Sequence, residues 1–257
     1  MKRRYAGIAV FLLITLFLIA GCSSKSAPSP ALPSVSLSSA DEYNNLGIEW
    51  RKQGDLDRAI SCYDKALELD PDHAGAYNNR GVAWRLKGDL ERAIADYNRA
   101  IEINPLMAAS YNNRGVVYGM QGNHGRAISF YNKALGLDLL NADYLNNRGV
   151  AREMKGDLGE AIRNYREALE VDAYHAHAYN NLGVAMRVKG YLDEAITNYT
   201  RALDINPNFA DAYYNRGIAW KMKGDLRQAV ADMKKALSYN PRNKKYQLFL
   251  AYLESRL

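Results

Sequence analysis

Cysteine is nearly absent: Cys22 and Cys62 are the only two in 257 residues. One disulfide is arithmetically open, but a small disulfide-stapled scaffold is excluded. Histidine is almost as scarce. His73, His124, His175 and His177 lie outside any metal-binding spacing, and the chain has no His-Glu-x-x-His pair, phosphate-cradling glycine loop or nucleophile elbow. The sequence thus offers no catalytic residue, no cofactor site and no metal site. Phenylalanine occurs only five times, against nineteen tyrosines and nineteen glycines. That skew points to periodicity, so internal repetition is the first thing to look for. Charge of one sign is not in large excess either. The formal net charge is +6, and removing Lys2, Arg3 and Arg4 from 34 basic residues leaves 31 against 28 acidic ones, or +3. So mild a balance supports neither a nucleic-acid footprint nor a polybasic membrane patch.

Long apolar runs are also missing. The longest, Ile8 to Ala20, is broken by Thr15. At about 1.5 Å per residue it reaches only about 20 Å, short of a hydrocarbon core of about 30 Å. Preceded by Lys2, Arg3 and Arg4, it reads as the apolar part of a secretion signal. The run ends in Ile19-Ala20-Gly21-Cys22, which resembles the lipobox of bacterial lipoproteins. The resemblance implies removal of residues 1–21, lipidation of Cys22 on sulfur and a membrane anchor of two or three acyl chains, each buried methylene adding about 0.8 kcal/mol. Ser23 stands where an Asp would signal inner-membrane retention, which favours an outer membrane facing the periplasm in a cell with two membranes. Residues 22–39 then form a tether. Eight serines and Pro28, Pro30 and Pro33 give it little to bury, so it is expected to stay disordered, with a reach of roughly 20–25 Å.

From Ala40 onward one 34-residue unit repeats six times, over 40–73, 74–107, 108–141, 142–175, 176–209 and 210–243. Gly47, Gly81, Gly115, Gly149, Gly183 and Gly217 mark one register; Ala59, Ala93, Ala127, Ala161, Ala195 and Ala229 mark a second. Within the first unit Tyr43, Leu46, Gly47 and Trp50 fall at i, i+3, i+4 and i+7, one face of a helix. Gly54 is placed to end that helix in the left-handed conformation, and Asp55 to favour the start of the next. Leu56, Ile60, Tyr63, Ala66 and Leu67 carry the second helix's apolar face. Period, aromatic placement and the closing Pro71, Pro105, Pro207 and Pro241 resemble the tetratricopeptide repeat. The resemblance implies an all-α, right-handed solenoid of six helical hairpins. Residues 244–257, with Tyr246, Phe249, Leu250 and Leu253 on one stripe, are expected to cap it.

Small residues such as Gly47 and Ala59 are expected to let the two backbones of a hairpin approach, and the tyrosines from Tyr63 to Tyr199 to fill the space between units. Arg80 and Arg216 have Asp96 and Asp232 as plausible partners. Cys62 takes the corresponding second-helix position of unit one, so it reads as a packed free thiol. Units three and four depart from the pattern: His124 replaces Leu, Gly136 lies inside a helix, Leu139 and Ala173 replace Pro, and Arg152 replaces an aromatic. The stretch 136–145 is therefore expected to be the softest seam. No cap precedes Tyr43, so Val35 and Leu37, or a second copy in a homodimer, are candidate covers for that end.

In the resembled family the first helix of each hairpin lines a concave groove. The fifth residue of each unit gives Asn44, Asn78, Asn112, Asn146, Asn180 and Tyr214. The ninth gives Ile48, Val82, Val116, Val150, Val184 and Ile218. The twelfth gives Arg51, Arg85, Gly119, Glu153, Arg187 and Lys221. Amides suit the backbone of a bound polypeptide, the apolar strip its side chains, and arginines its carboxylates. The other reading of the Asn series is a ladder that bonds within the scaffold. The sixth-residue series, Asn45 to Asn215, is expected to be structural. The implied role is a lipid-anchored envelope adaptor that binds a protein or peptide of acidic character, with no nucleic acid involved. Alternatives are an assembly factor resembling type IV pilus pilotin lipoproteins and a self-assembling scaffold.

Overall fold

The computed structural model describes residues 37–256. The expected signal segment, Cys22 and the tether as far as Ser36 lie outside the described residues, as does Val35. Thirteen α-helices and no strand occur among the described residues. They pair as α1 (Ala40–Lys52) with α2 (Leu56–Leu69), α3 (Ala74–Lys87) with α4 (Leu90–Ile103), and α5 (Ala108–Met120) with α6 (His124–Leu137). The series continues with α7 (Ala142–Lys155) and α8 (Leu158–Val171), α9 (Ala176–Val188) and α10 (Leu192–Ile205), and α11 (Ala210–Lys223) and α12 (Leu226–Tyr239). The last helix is α13 (Lys244–Glu254).

Local chemistry sets the helix ends. Gly54, Gly88, Gly122, Gly156, Gly190 and Gly224 all have φ between 75° and 95°. At the first of them the Gly54 N–H donates to the Arg51 carbonyl and the Asp55 N–H to the Trp50 carbonyl, closing the helix with a left-handed residue. Asp55, Asp89, Asn123 and Asp225 then cap the following helix through the amide three residues on. Asp157 makes no such bond. At the N-terminal end the capping box is complete: the Glu42 N–H donates to Ser39 Oγ at 3.2 Å, and the Ser39 N–H donates to Glu42 Oε2 at 3.0 Å. The end of the expected tether is thus part of the α1 cap, and Leu37 is half-buried.

In units one to five the tyrosine of the second helix lies over the glycine of its own first helix, and in unit six Met233 takes that place over Gly217. Around Gly47 the space is taken by the Tyr63 ring, whose Cε1 would be 2.5 Å from an added Cβ. Close backbone approach shows at Gly81, where the Ala93 carbonyl would be 3.2 Å from a Cβ. The same tyrosines also reach the next unit, Tyr63 packing with Ala83 and Tyr97 with Val117. The apolar interior is therefore a chain of small clusters, each joining one unit to its neighbour, as a one-dimensional stack requires. At the far end Tyr246 and Leu253 of α13 bury themselves against Ala229, Val230, Met233 and Ala236 of α12.

Neighbouring odd-numbered helices touch each other along the whole series from α1 to α11, whereas consecutive even-numbered helices make no comparable contact among the described residues. The hairpin stack therefore curves with its first helices on the inner side. No helix among the described residues is long and apolar enough to cross a membrane.

Candidate functional site

The fifth, ninth and twelfth residues of each unit lie on the first helices, the elements that touch along the inner side. Asn44, Asn112, Asn146 and Asn180 are buried, and each accepts a hydrogen bond from an asparagine one unit on. Asn79 Nδ2 donates to Asn44 Oδ1 at 2.9 Å, Asn113 to Asn78 at 2.9 Å, Asn147 to Asn112 at 3.1 Å, Asn181 to Asn146 at 2.9 Å and Asn215 to Asn180 at 2.9 Å. From Asn79 to Asn215 the sixth-residue asparagines thus bond to side chains of the preceding unit. The ladder's carbonyl oxygens are engaged inside the scaffold; Asn180 also directs its N–H₂ to Asn181 Oδ1 at 3.3 Å, while Asn44, Asn78, Asn112 and Asn146 keep their N–H₂ groups free of side-chain partners among the described residues. Tyr214 ends the series differently. It stacks on Tyr246 at 5.1 Å and meets Phe249 edge-on at 5.7 Å, so α13 closes that end of the groove.

Beside the ladder run Ile48, Val82, Val116, Val150, Val184 and Ile218, of which Val150 is the most open at 39% exposure. The twelfth-residue rungs follow. Arg51, Arg85, Arg187 and Lys221 form no ion pair among the described residues, unlike Arg92, Arg99, Arg152 and Arg216. The Nε atoms of Arg51, Arg85 and Arg187 are buried without a hydrogen-bond partner, as are the hydroxyls of Tyr63, Tyr97 and Tyr199 next to them. Burial raises these phenols against the pull of the arginines, and Tyr97 and Tyr199 are pushed up to about 12. Unit four inverts the rung: Tyr165 donates to Glu153 Oε2 at 2.7 Å. Unit three leaves it empty at Gly119. Read along the groove, the rungs are positive, positive, vacant, negative, positive, positive.

Other polar clusters are architectural. Arg80 donates through Nε and Nη2 to both oxygens of Asp96 at 2.9 and 2.7 Å, and Arg216 does the same to Asp232. Both expected pairs are present. In unit three, where Phe130 stands at the position of Asp96, Arg114 lies over that ring at 4.4 Å. Two histidines turn out to be helix caps. His73 Nδ1 accepts from the Ala76 N–H while its Nε2 meets Asp41 at 3.1 Å; His175 repeats this with Ala178 and Asp143. Cys62 is a fully buried free thiol, its pKa pushed up to about 11 by burial. No group of His, Cys, Asp and Glu among the described residues is arranged to hold a metal ion.

Models of the tetratricopeptide repeat match residues 45–108, 108–138, 154–224 and 210–243. MamA, a solved structure, is 31% identical, covers 65% of this chain with 97% of its own length, and superposes with a TM-score of 0.54. This chain is a tetratricopeptide-repeat protein. YrrB, described as a TPR protein with an unusual peptide-binding site, is 26% identical over 76% of this chain and 98% of its own, with a TM-score of 0.54. PilW, described as a type IV pilus biogenesis factor, is 19% identical over 82% and 98%, with a TM-score of 0.73. The chain spans 43% of the Cut9–Hcn1 chain that it also matches. No curated protein sequence matches it. The family is one of scaffolds rather than catalysts.

One further series lines this tetratricopeptide-repeat chain. Leu86, Met120, Met154, Val188 and Met222, the thirteenth residues of units two to six, are all exposed large apolar side chains along the rim beside the rungs. Their signal was available: five apolar residues 34 apart, each just beyond the face that packs within the hairpin.

Proposed function

We propose that this protein is a membrane-anchored adaptor of the bacterial cell envelope, lipidated at Cys22, whose groove holds acidic polypeptide segments. The observation that carries the groove reading is the set Arg51, Arg85, Arg187 and Lys221: four inner-face cations with no carboxylate of their own. Arg80, Arg152 and Arg216, by contrast, each hold a carboxylate, and an arginine left open beside apolar side chains suits bidentate capture of a carboxylate. The exposed Met and Val residues supply apolar contact, and the Asn N–H₂ groups offer donors to backbone carbonyls. Peptide binding by YrrB, of similar sequence, supports the same reading.

Crosslinking of the full chain in its own cell, followed by identification of the captured proteins, tests the reading. Changing Arg51, Arg85 and Arg187 together to Glu is expected to abolish capture while leaving the helical signal unchanged. Capture unaffected by this triple change would rule out the groove. Cys22→Ser is expected to release the protein from the membrane fraction.

A narrower reading makes the adaptor an assembly factor for a type IV pilus or its secretin. It is supported by the sequence layout of lipidation motif, six units and final helix, and by the match along nearly all of PilW, a likeness that at 19% identity concerns the fold. Loss of assembled secretin on deleting the protein, restored only by a chain with an intact groove, is the expected outcome.

A further inference from the structure

Gly119 has no structural reason to be glycine. It lies inside α5 with no positive φ. A Cβ there would meet only Tyr131 Oη at 3.9 Å and the Ala127 Cβ at 4.0 Å, whereas at Gly115 the Tyr131 ring stands 2.7 Å away. Glycine within a helix lowers stability relative to alanine, so its presence here runs against the fold's interest. Every other unit places a long charged side chain at this position. The missing side chain opens a recess of ≈ 380 Å³ on the inner face between units three and four. Val116, Met120, Val150 and Met154 form apolar walls, and Tyr131 and His124 add polar groups. His124 is another departure of unit three, so two of that unit's irregularities line one spot. Met120 and Met154 are 56% and 64% exposed, and unbranched thioethers adapt to the shape of an incoming group, aromatic rings above all.

We propose that this recess is the anchor subsite of the groove and takes one large apolar side chain, best an aromatic one, from an acidic polypeptide segment. The inference rests on the groove reading above and adds its specificity. Charge complementarity fixes the surroundings. Neighbouring packed helices lie about 8–10 Å apart, and an extended chain advances about 3.3 Å per residue, so each unit meets roughly every third ligand residue. Against Arg51, Arg85, the recess, Glu153, Arg187 and Lys221, the matching segment reads acidic, acidic, apolar, basic, acidic, acidic at every third position.

The probe is a fluorescent peptide, Glu-Gly-Ser-Glu-Gly-Ser-Phe-Gly-Ser-Lys-Gly-Ser-Glu-Gly-Ser-Glu, used with its reversed order and with Phe replaced by Ala in each. Anisotropy titration against the full chain is expected to show one Phe probe binding at least about tenfold tighter than its Ala counterpart, the scale of burying one such side chain. Gly119→Met fills the recess without adding charge and is expected to erase that difference, leave the Ala probe's affinity in place and preserve the helical signal. Phe and Ala probes that bind equally, yet both lose affinity on Arg51→Glu with Arg85→Glu, overturn the anchor and leave the groove standing. Absence of binding by all four probes, with the arginine changes without effect, removes both.

Discussion

A Cβ placed on Gly81 would stand 2.7 Å from Cε1 of Tyr97, sixteen residues on. Gly47 with Tyr63, Gly149 with Tyr165 and Gly183 with Tyr199 repeat the relationship. Gly81→Ala is therefore expected to lower stability by about 1–3 kcal/mol through overpacking. Gly119→Ala, with no such neighbour, is expected to raise it by about 0.5–1 kcal/mol. Denaturant unfolding of the two variants checks both, and the opposite signs are the decisive feature.

The two buried arginine pairs differ in what remains when the carboxylate is removed. Arg80 keeps Asp64, which it already holds at 2.6 Å, after Asp96→Ala. Arg216 keeps only the Thr200 hydroxyl, at 3.0 Å, after Asp232→Ala. Asp232→Ala is expected to cost about 3–5 kcal/mol, the range for leaving one partner of a buried pair uncompensated, and Asp96→Ala clearly less. Equal losses in thermal unfolding would mean that Asp64 does not compensate.

Asn112→Ala removes the acceptor of Asn147 Nδ2. The orphaned donor is expected to cost about 1–3 kcal/mol. Partner capture measured well below the unfolding midpoint separates this structural role from ligand binding. Capture that falls while the chain remains folded assigns the ladder's amides to the groove as well.

Burial raises the phenols of Tyr63, Tyr97, Tyr131, Tyr165 and Tyr199 above the ordinary tyrosine value. The unfolded chain thus loses these protons at lower pH than the folded one. Their contribution to stability is complete below about pH 10 and declines as pH rises through the folded values, which reach about 12 at Tyr97 and Tyr199. The buried phenolate absorbance is expected to appear together with loss of helix, in one transition. Ionisation of these five before any unfolding would contradict their burial.

The 34-residue period made the hairpins legible because each unit needs the same small residues at the same contacts, and six copies amplify a weak local pattern. Arg80 with Asp96 could be matched from register alone. The asparagine ladder could not: its bonds join the fifth residue of one unit to the sixth of the next, a distance set by how two hairpins lean on each other. At Gly47 the pattern identifies a small residue without naming what fills the room, which is the Tyr63 ring. The groove's composition is legible in the sequence, but the vacancy at Gly119 is a recess only because Met120, Met154 and Val150 stand around it. The histidine caps were not legible because Ser, Thr, Asp and Asn, not His, are the preferred N-cap residues, and the Asp41 that meets the ring of His73 lies one unit back.

The contiguous inner helices and separated outer ones give the array a hinge line. Bending opens or closes the gaps on the convex side, while the length of the concave rim barely changes. A guest lying there keeps its alignment through such flexing, so tension on the molecule would alter its outer contour long before it disturbed what the trough can recognise.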